Sequence, residues 1–266
     1  SLEQAKLAKS KPKPLAGQIA VVTGGGGAIG AVTAWLLAEN GSEVAILDRD
    51  EEAAKAAAAV IGARALPLRC DLTNADDVAA AFDAVAEYFG GVDILVSNAG
   101  AAWQAPIDAM DEAVLRRSFE INFFAHQRAT QAAVAIMKKQ GTGGALLFNV
   151  SKQAVNPGTN FGAYGLPKAS TLFLVRQYAL EGGPHGIRAN AVNADRIRSG
   201  LLTDAMIADR AKARGVAETD YLKSNLLGRE VTALDVAQAF LHHALALKTT
   251  GDVTTVDGGN VAAMLR

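Results

Sequence analysis

A chain of 266 residues, half of them hydrophobic, is long enough for one large domain with a well-buried core. Its 26 basic and 27 acidic residues leave a formal net charge of −1, which removes any bulk electrostatic case for nucleic acid as a partner. The one cysteine, Cys70, excludes an internal disulfide and fits a reducing, cytoplasmic setting, and no apolar stretch reaches the roughly 18 residues of a membrane span. No signal peptide is visible, so no membrane partner is expected.

Residues 1–16 are basic, carry two prolines and lack a core pattern, and they read as a linker or surface arm ahead of a domain over 17–266. The chain does not begin with Met, which fits processing, an engineered start or excision from a longer polypeptide. Beyond residue 17, strand-like and helical runs alternate. Strands are predicted near 18–23, 43–48, 64–69, 92–97, 144–150, 187–193 and 252–256. Helices are predicted near 29–40, 51–61, 75–89, 108–139, 162–181, 233–246 and within 200–225. Continuous apolar strands such as V-D-I-L-V and A-L-L-F-N-V imply a sheet covered on both faces. The fold class is therefore α/β: a doubly wound, parallel sheet of about seven strands flanked by helices.

The first strand runs into G-G-G-G-A-I-G at 24–30 and then a helix, the context of a dinucleotide-binding turn. Two templates fit the run: Gly25, Gly27 and Gly30, or Thr23, Gly24, Ala28 and Gly30; a flexible turn is the plainer alternative. Asp48 ends the second strand-like run 18 residues beyond Gly30, near the spacing of an acid that bonds ribose hydroxyls. Its carboxylate would repel a 2′-phosphate and favours NAD over NADP, although the adjacent Arg49 could offset that repulsion.

Ser151, Tyr164 and Lys168 carry the catalytic pattern. Tyr164 and Lys168 are four apart and share a helix face, where an ammonium would favour phenolate and lower the phenol pKa. Ser151 would orient a carbonyl or alcohol oxygen beside the phenol. His126, His185, His242 and His243 form no metal-ligand pattern, and no metal is expected; the last pair reads as a helix-surface feature. Arg196 and Arg198, in the charged 195–230 segment, are candidates to meet an anionic group, or else surface arginines of a loop. Lys152, Gln153 and Asn156 flank Ser151, and Trp103 could cap the cleft.

Over residues 17–260 these motifs resemble the short-chain dehydrogenase/reductase family. T-G-G-G-G-A-I-G resembles its phosphate turn, with Ala28 where a glycine is usual. Asp71 resembles the acid that bonds the adenine amino group, and Asn98, Ala99 and Gly100 match the N-A-G run after the fourth strand. Asn122 matches a helix asparagine that helps hold a proton-relaying water, and T-G-D-V-T-T-V-D-G-G at 250–259 matches the last strand and turn. The resemblance implies a Rossmann-like fold, Asn122, Ser151, Tyr164 and Lys168 as catalytic residues, and a substrate lid at about 195–230. It also implies a nicotinamide cofactor held by Gly24, Gly26, Gly27, Ile29, Asp48, Arg49, Asp71, Leu72, Asn98, Ala99, Gly100, Tyr164, Lys168 and Ser199. Two departures stand out: Ala194 and Asp195 replace the usual P-G, with Ser199 in place of a threonine, and Pro167 precedes Lys168, which places the helix start near Gly162.

Related proteins assemble through the helices carrying Asn122 and Tyr164, so a homodimer or homotetramer is expected. More narrowly, N-V-S-K-Q-A-V-N-P-G, Y-G-L-P-K and N-A-D-R-I-R-S-G-L-L resemble the dehydrogenase half of bifunctional rhamnulose-1-phosphate aldolase/dehydrogenases. That implies a lactaldehyde-like hydroxyaldehyde or alcohol as substrate and an aldolase domain in the longer protein. A non-catalytic dinucleotide-binding module and a nicotinamide-dependent epimerase are the alternatives.

Overall fold

The computed structural model describes residues 12–213 and 215–260. Among them, β1 (Ile19–Thr23), β2 (Glu43–Asp48), β3 (Ala65–Arg69), β4 (Ile94–Ser97), β5 (Gly144–Asn149), β6 (Ile187–Ala194) and β7 (Val253–Val256) form one sheet. The strand order is β3-β2-β1-β4-β5-β6-β7, and every pair is parallel. The seven strands of the sequence reading are all present, with ends moved by two residues or fewer.

Alternation along the strands divides the core in two, because successive side chains point to opposite faces. Val21, Ala45, Leu47, Leu95, Leu146 and Phe148 pack on one face with Phe82, Ala129, Leu172 and Val175. Ala20, Val22, Val44, Ile46, Ile94 and Leu147 pack on the other with Leu37, Val236 and Phe240. The helices covering the faces are α1 (Ala28–Glu39), α2 (Glu51–Ile61), α3 (Ala75–Phe89), α4 (Glu112–Phe119), α5 (Ala125–Gln140), α6 (Gly162–Gly182) and α9 (Ala233–Leu245). Two shorter ones, α7 (Asp204–Ala213) and α8 (Glu218–Leu222), lie in the segment after β6 and share a small core of Leu202, Ile207, Ala211, Tyr221 and Leu222. Side chains start several helices: Asp50 caps α2, Asn74 caps α3, and Thr232 with Asp235 forms a capping box on α9. No helix among the described residues is long and apolar enough to cross a membrane.

Two sequence expectations change and two are qualified. The first eleven residues of the expected arm lie outside the described residues; at its end Pro12, Lys13, Pro14 and Ala16 are exposed, while Leu15 is buried against the sheet and its N–H donates to the Asn40 carbonyl at 2.9 Å. The helix expected over 108–139 is broken. A short 3₁₀ turn at Ile107–Ala109 precedes α4, whose N-cap Asp111 accepts from the Ala113 N–H at 2.8 Å, and a π turn at Glu120–Phe124 separates α4 from α5. His243 is fully buried rather than on the surface, because it shares the inward face of α9 with Val236 and Phe240. α6 does begin at Gly162, yet Pro167 falls in its second turn, where it has no N–H to offer the Ala163 carbonyl.

Phe240 is fully enclosed where α9 meets the sheet. Phe240→Ala should lower unfolding free energy by about 3–5 kcal/mol, measured by urea denaturation, without changing the strand order.

Candidate active site

The order of the sheet reverses between β1 and β4, and a crevice opens there at the carboxyl ends of the strands, as the topology requires. Asn98 closes its floor. Its Nδ2 donates to the carbonyls of Thr23 at 3.1 Å and Gly24 at 3.2 Å, its Oδ1 accepts from Asn149 Nδ2 at 2.8 Å, and its N–H donates to Thr23 Oγ1 at 3.0 Å. One amide thus ties β1, β4 and β5 together.

The glycine turn is packed too closely for side chains at Gly24, Gly25 and Gly30, positions drawn from both sequence templates. Gly24 has φ +60°, and a Cβ on it would stand 2.9 Å from Ala99 Cα. A Cβ on Gly30 would stand 2.1 Å from the Gly24 carbonyl oxygen, so α1 can approach the turn only with glycine there. Gly27 caps α1 without a side chain. The first N–H groups of a helix lack intrahelical acceptors, and such an end fits a pyrophosphate.

A groove of about 520 Å³ runs from this turn past Asp48, Arg49 and Asp71 to Ser199. Of the cofactor residues expected from the sequence, Gly24, Gly27, Ile29, Asp48, Arg49, Asp71, Leu72, Asn98, Ala99, Gly100 and Ser199 line it. Gly26, Tyr164 and Lys168 do not; the Gly26 N–H donates to Asp48 Oδ2 at 3.0 Å, which locks the turn to the end of β2. Hydrogen bonds from the Thr73 N–H and hydroxyl hold the Asp71 carboxyl below its usual range, with smaller help from Arg49 and Arg69. The groove chemistry fits a dinucleotide: an uncapped helix end for the phosphates and carboxylates for the ribose and adenine.

The candidate catalytic residues sit beside the groove, and burial dominates the ionisation of Lys168 and Tyr164. Lys168 is only 2% exposed. Its Nζ donates to the Asn149 carbonyl at 2.9 Å and stands 3.5 Å from His126 Nε2, whose Nδ1 lies 2.6 Å from Ser97 Oγ. Desolvation pulls Lys168 down to about 7. Burial, then the Lys168 charge, holds His126 well below the usual imidazole range.

Tyr164 is pushed up to about 12 by burial, with the Ser151 side-chain hydrogen bond pulling it the other way. This reverses the expected lowering by Lys168. The ammonium lies 5.8 Å from the centre of the phenol ring and is itself strongly desolvated, so its charge does not offset the burial of the phenol.

The π turn places Asn122 inside the protein. Its Oδ1 accepts from the Ala101 N–H at 3.2 Å, and its Nδ2 donates to the Ala101 carbonyl at 2.7 Å and to Ser118 Oγ at 3.0 Å. The Thr171 hydroxyl donates to its main-chain carbonyl at 2.6 Å. The side chain thus pins the loop after Gly100, and a Cβ on Gly100 would meet Asn122 Oδ1 at 3.0 Å and Lys168 Nζ at 3.5 Å.

A second cleft, of about 260 Å³, opens on Ser151 and Tyr164 and shares Ile29, Ala102, Asn149, Ser199 and Leu201 with the groove. Lys152 and Gln153 line it, Asn156 does not, and Trp103 lines the groove. Arg196 faces the cleft, whereas Arg198 is turned away to Glu230 and Asp204. Sequence reasoning passed over Asn149, which lines both spaces, and Arg210, and it weighed His126 only as a metal ligand. The alternating strand pattern offered a handle on Asn149 alone, as the polar residue ending an apolar run.

A family model described as enoyl-(acyl carrier protein) reductase matches residues 26–260. The 7alpha-hydroxysteroid dehydrogenase of Escherichia coli is 33% identical over 252 residues, covering 93% of this chain and 95% of that protein. The chain belongs to the short-chain dehydrogenase/reductase family. A short-chain type dehydrogenase/reductase from Mycobacterium marinum superposes with a TM-score of 0.84 at 30% identity, covering 92% of this chain and 96% of that one. The 3-ketoacyl-(acyl-carrier-protein) reductase of Brucella melitensis, solved with NADH, gives 0.85 at 29% identity, covering 92% and 99%. The uncharacterized oxidoreductase YuxG of Bacillus subtilis is 34% identical over 279 residues, which is all of this chain but 40% of the length of that protein. This is thus an oxidoreductase of a family that uses a nicotinamide cofactor.

The depressed Lys168 has a signature in stability. Between its folded value of about 7 and an unfolded value near 10.4, the unfolded chain binds more protons, so Lys168 makes stability rise with pH through that window. Lys168→Met should remove this contribution. From pH 7 to 9 the difference in unfolding free energy between wild type and variant should climb by up to about 1.4 kcal/mol per pH unit, and parallel curves would contradict the assignment.

Proposed function

We propose that the protein is an NAD-dependent dehydrogenase acting on a small hydroxyaldehyde or alcohol of about lactaldehyde size. The observation that carries this reading is the meeting of the two clefts: Ser151 and Tyr164 face a small space that opens directly onto the dinucleotide groove. Bound nicotinamide would supply the hydride acceptor and a positive charge beside the phenol. Tyr164, as phenolate, takes the proton from the substrate hydroxyl as the carbinol C–H bond breaks. Ser151 orients the substrate oxygen and donates to the phenolate. Lys168 stands behind Gly100, held by the Asn149 carbonyl, where it can meet a ribose hydroxyl and take the abstracted proton onward from Tyr164. Asn122 keeps the Ala101 loop in place and so keeps the mouth of the cleft open.

NAD is preferred to NADP because Asp48 lies in the groove with both carboxylate oxygens fixed, by the N–H groups of Gly26 and Asp50, and would repel a 2′-phosphate. An NADH complex of the Brucella relative supports the same preference. Exposed Leu166, Phe173 and Leu180 recur every seven residues on α6, with exposed Phe124 at the start of α5. That apolar stripe supports a homodimer or homotetramer through these helices. The buried, unpaired Cys70 accords with a reducing cytoplasm. The further reading, as the dehydrogenase half of an aldolase fusion in rhamnose breakdown, rests on the sequence resemblance and on the greater length of the Bacillus relative. No aldolase region is matched.

NADH absorbance with NAD or NADP and a panel of small hydroxyaldehydes and alcohols tests the reading. Net NADH formation separates dehydrogenation from epimerisation, and tight NAD binding without turnover would favour a non-catalytic module. Tyr164→Phe should cut turnover by about 10³-fold while NAD affinity stays within a few-fold. Asp48→Ala should raise the NADP/NAD ratio of kcat/KM by about tenfold.

A further inference from the structure

We propose that the substrate carries an anionic group, a carboxylate or a phosphate, received by Arg210 with Lys152 and Arg196. This rests on the dehydrogenase reading and narrows its substrate class. The cleft that holds Ser151 and Tyr164 is walled by three cationic side chains, Lys152, Arg196 and Arg210, and by one carboxylate, Asp195. A single oxygen of that carboxylate serves three donors. Lys152 Nζ stands 3.1 Å from Asp195 Oδ2, Arg196 Nε 3.5 Å, and Asn260 Nδ2 donates to it at 2.6 Å. The side chains of Lys152, Asp195 and Arg196 are 17%, 10% and 13% exposed, so solvent screens them poorly. One carboxylate cannot balance three cations, and two positive charges remain in excess around a small, partly desolvated space.

The three cations are not equivalent. Arg196 is fixed: its Nη1 donates to the carbonyls of Tyr221 at 3.0 Å and Ser224 at 3.2 Å, and its guanidinium lies 4.9 Å from the Tyr221 ring centre. Its φ of +55° is a conformation that non-glycine residues seldom adopt, and the contacts around its side chain hold it there. Arg210, in the last turn of α7, forms no ion pair among the described residues; its guanidinium rests 5.1 Å from the ring centre of Phe161, another wall residue of the cleft. A guanidinium stacked on an aromatic face keeps its N–H edge open, and that edge matches a carboxylate or phosphate in two-point fashion. The arrangement accounts for Asp195 at a position where the family pattern has another residue: it seats Lys152 and Arg196 at the wall without neutralising the cleft. Because Ser151 and Tyr164 line the same space, the anion belongs to the molecule whose hydroxyl is oxidised, which makes that molecule a hydroxy acid or a phosphorylated hydroxy compound rather than a neutral one.

The test compares kcat/KM with NAD for neutral compounds (lactaldehyde, propane-1,2-diol), hydroxycarboxylates (lactate, 3-hydroxybutyrate) and phosphate esters (glycerol 3-phosphate, glyceraldehyde 3-phosphate) on wild type, Arg210→Met and Arg210→Lys. An anionic substrate should lead its neutral counterpart by about tenfold or more. Arg210→Met should collapse that ratio through KM, with partial recovery in Arg210→Lys; the carboxylate and phosphate arms then identify the group. Preference for the neutral compounds, or a ratio that Arg210→Met leaves unchanged, overturns the anion site while the dehydrogenase reading stands. If nothing in the panel turns over, the anion site is judged by calorimetry with inorganic phosphate and oxamate in the presence of NADH. Heat of binding lost in Arg210→Met supports it, and no heat with wild type overturns it.

Discussion

Three strand ends meet on the side chain of Asn98, and the site depends on that meeting. Parallel strands do not connect to one another by hairpins, so nothing local in the chain brings the ends of β1, β4 and β5 into one place. The Asn98 side-chain amide does so with three polar contacts, one of which reaches a carbonyl in the glycine turn itself, and its main-chain N–H adds a fourth. The groove floor, the turn and Asn149 are therefore one rigid unit. Asn149 in turn holds Lys168 through its carbonyl, so the phosphate end and the proton-transfer end of the site share a single polar network.

Burial sets the chemistry within that frame. A lysine and a phenol close together in water would stabilise each other's charged forms. Here Lys168 is buried and Tyr164 largely so, and desolvation outweighs their mutual attraction at 5.8 Å. In the free protein the phenol is held neutral and the lysine exchanges its proton near neutral pH, and a positive charge arriving at the mouth of the groove would shift the balance toward phenolate. The cost of hiding Lys168 is carried by the fold, through a main-chain carbonyl and a neutral histidine rather than a carboxylate. A carboxylate partner would have raised the lysine and kept it from exchanging protons near neutral pH.

Much of the fold was legible in the sequence because apolar runs of strand length alternate with helical ones, and a parallel sheet covered on both faces is what that alternation builds. Tyr164 and Lys168 were legible because a helix repeats every 3.6 residues. The break at Glu120–Phe124 was not: a π turn adds one residue to a turn and leaves the apolar pattern on either side intact. The direction of the Tyr164 shift was hidden as well, since spacing shows that two groups are neighbours but not how much water surrounds them. Arg210 carries no motif. It reaches the cleft because Leu202, Ile207, Ala211, Tyr221 and Leu222 fold the segment after β6 back on itself, and such packing is not written in any short pattern. Arg198 looked equivalent to Arg196, yet two residues along an irregular segment send it to Glu230 and Asp204 instead.

The bond from Asn260 to Asp195 spans 65 residues and fixes the cleft's one carboxylate from the far end of the described residues. The contacts that fix the groove floor join Thr23, Gly24, Asn98 and Asn149, whereas Asp195 takes one of its donors from residue 260. Changes near residue 260 therefore reach the wall of the cleft and leave the groove floor untouched.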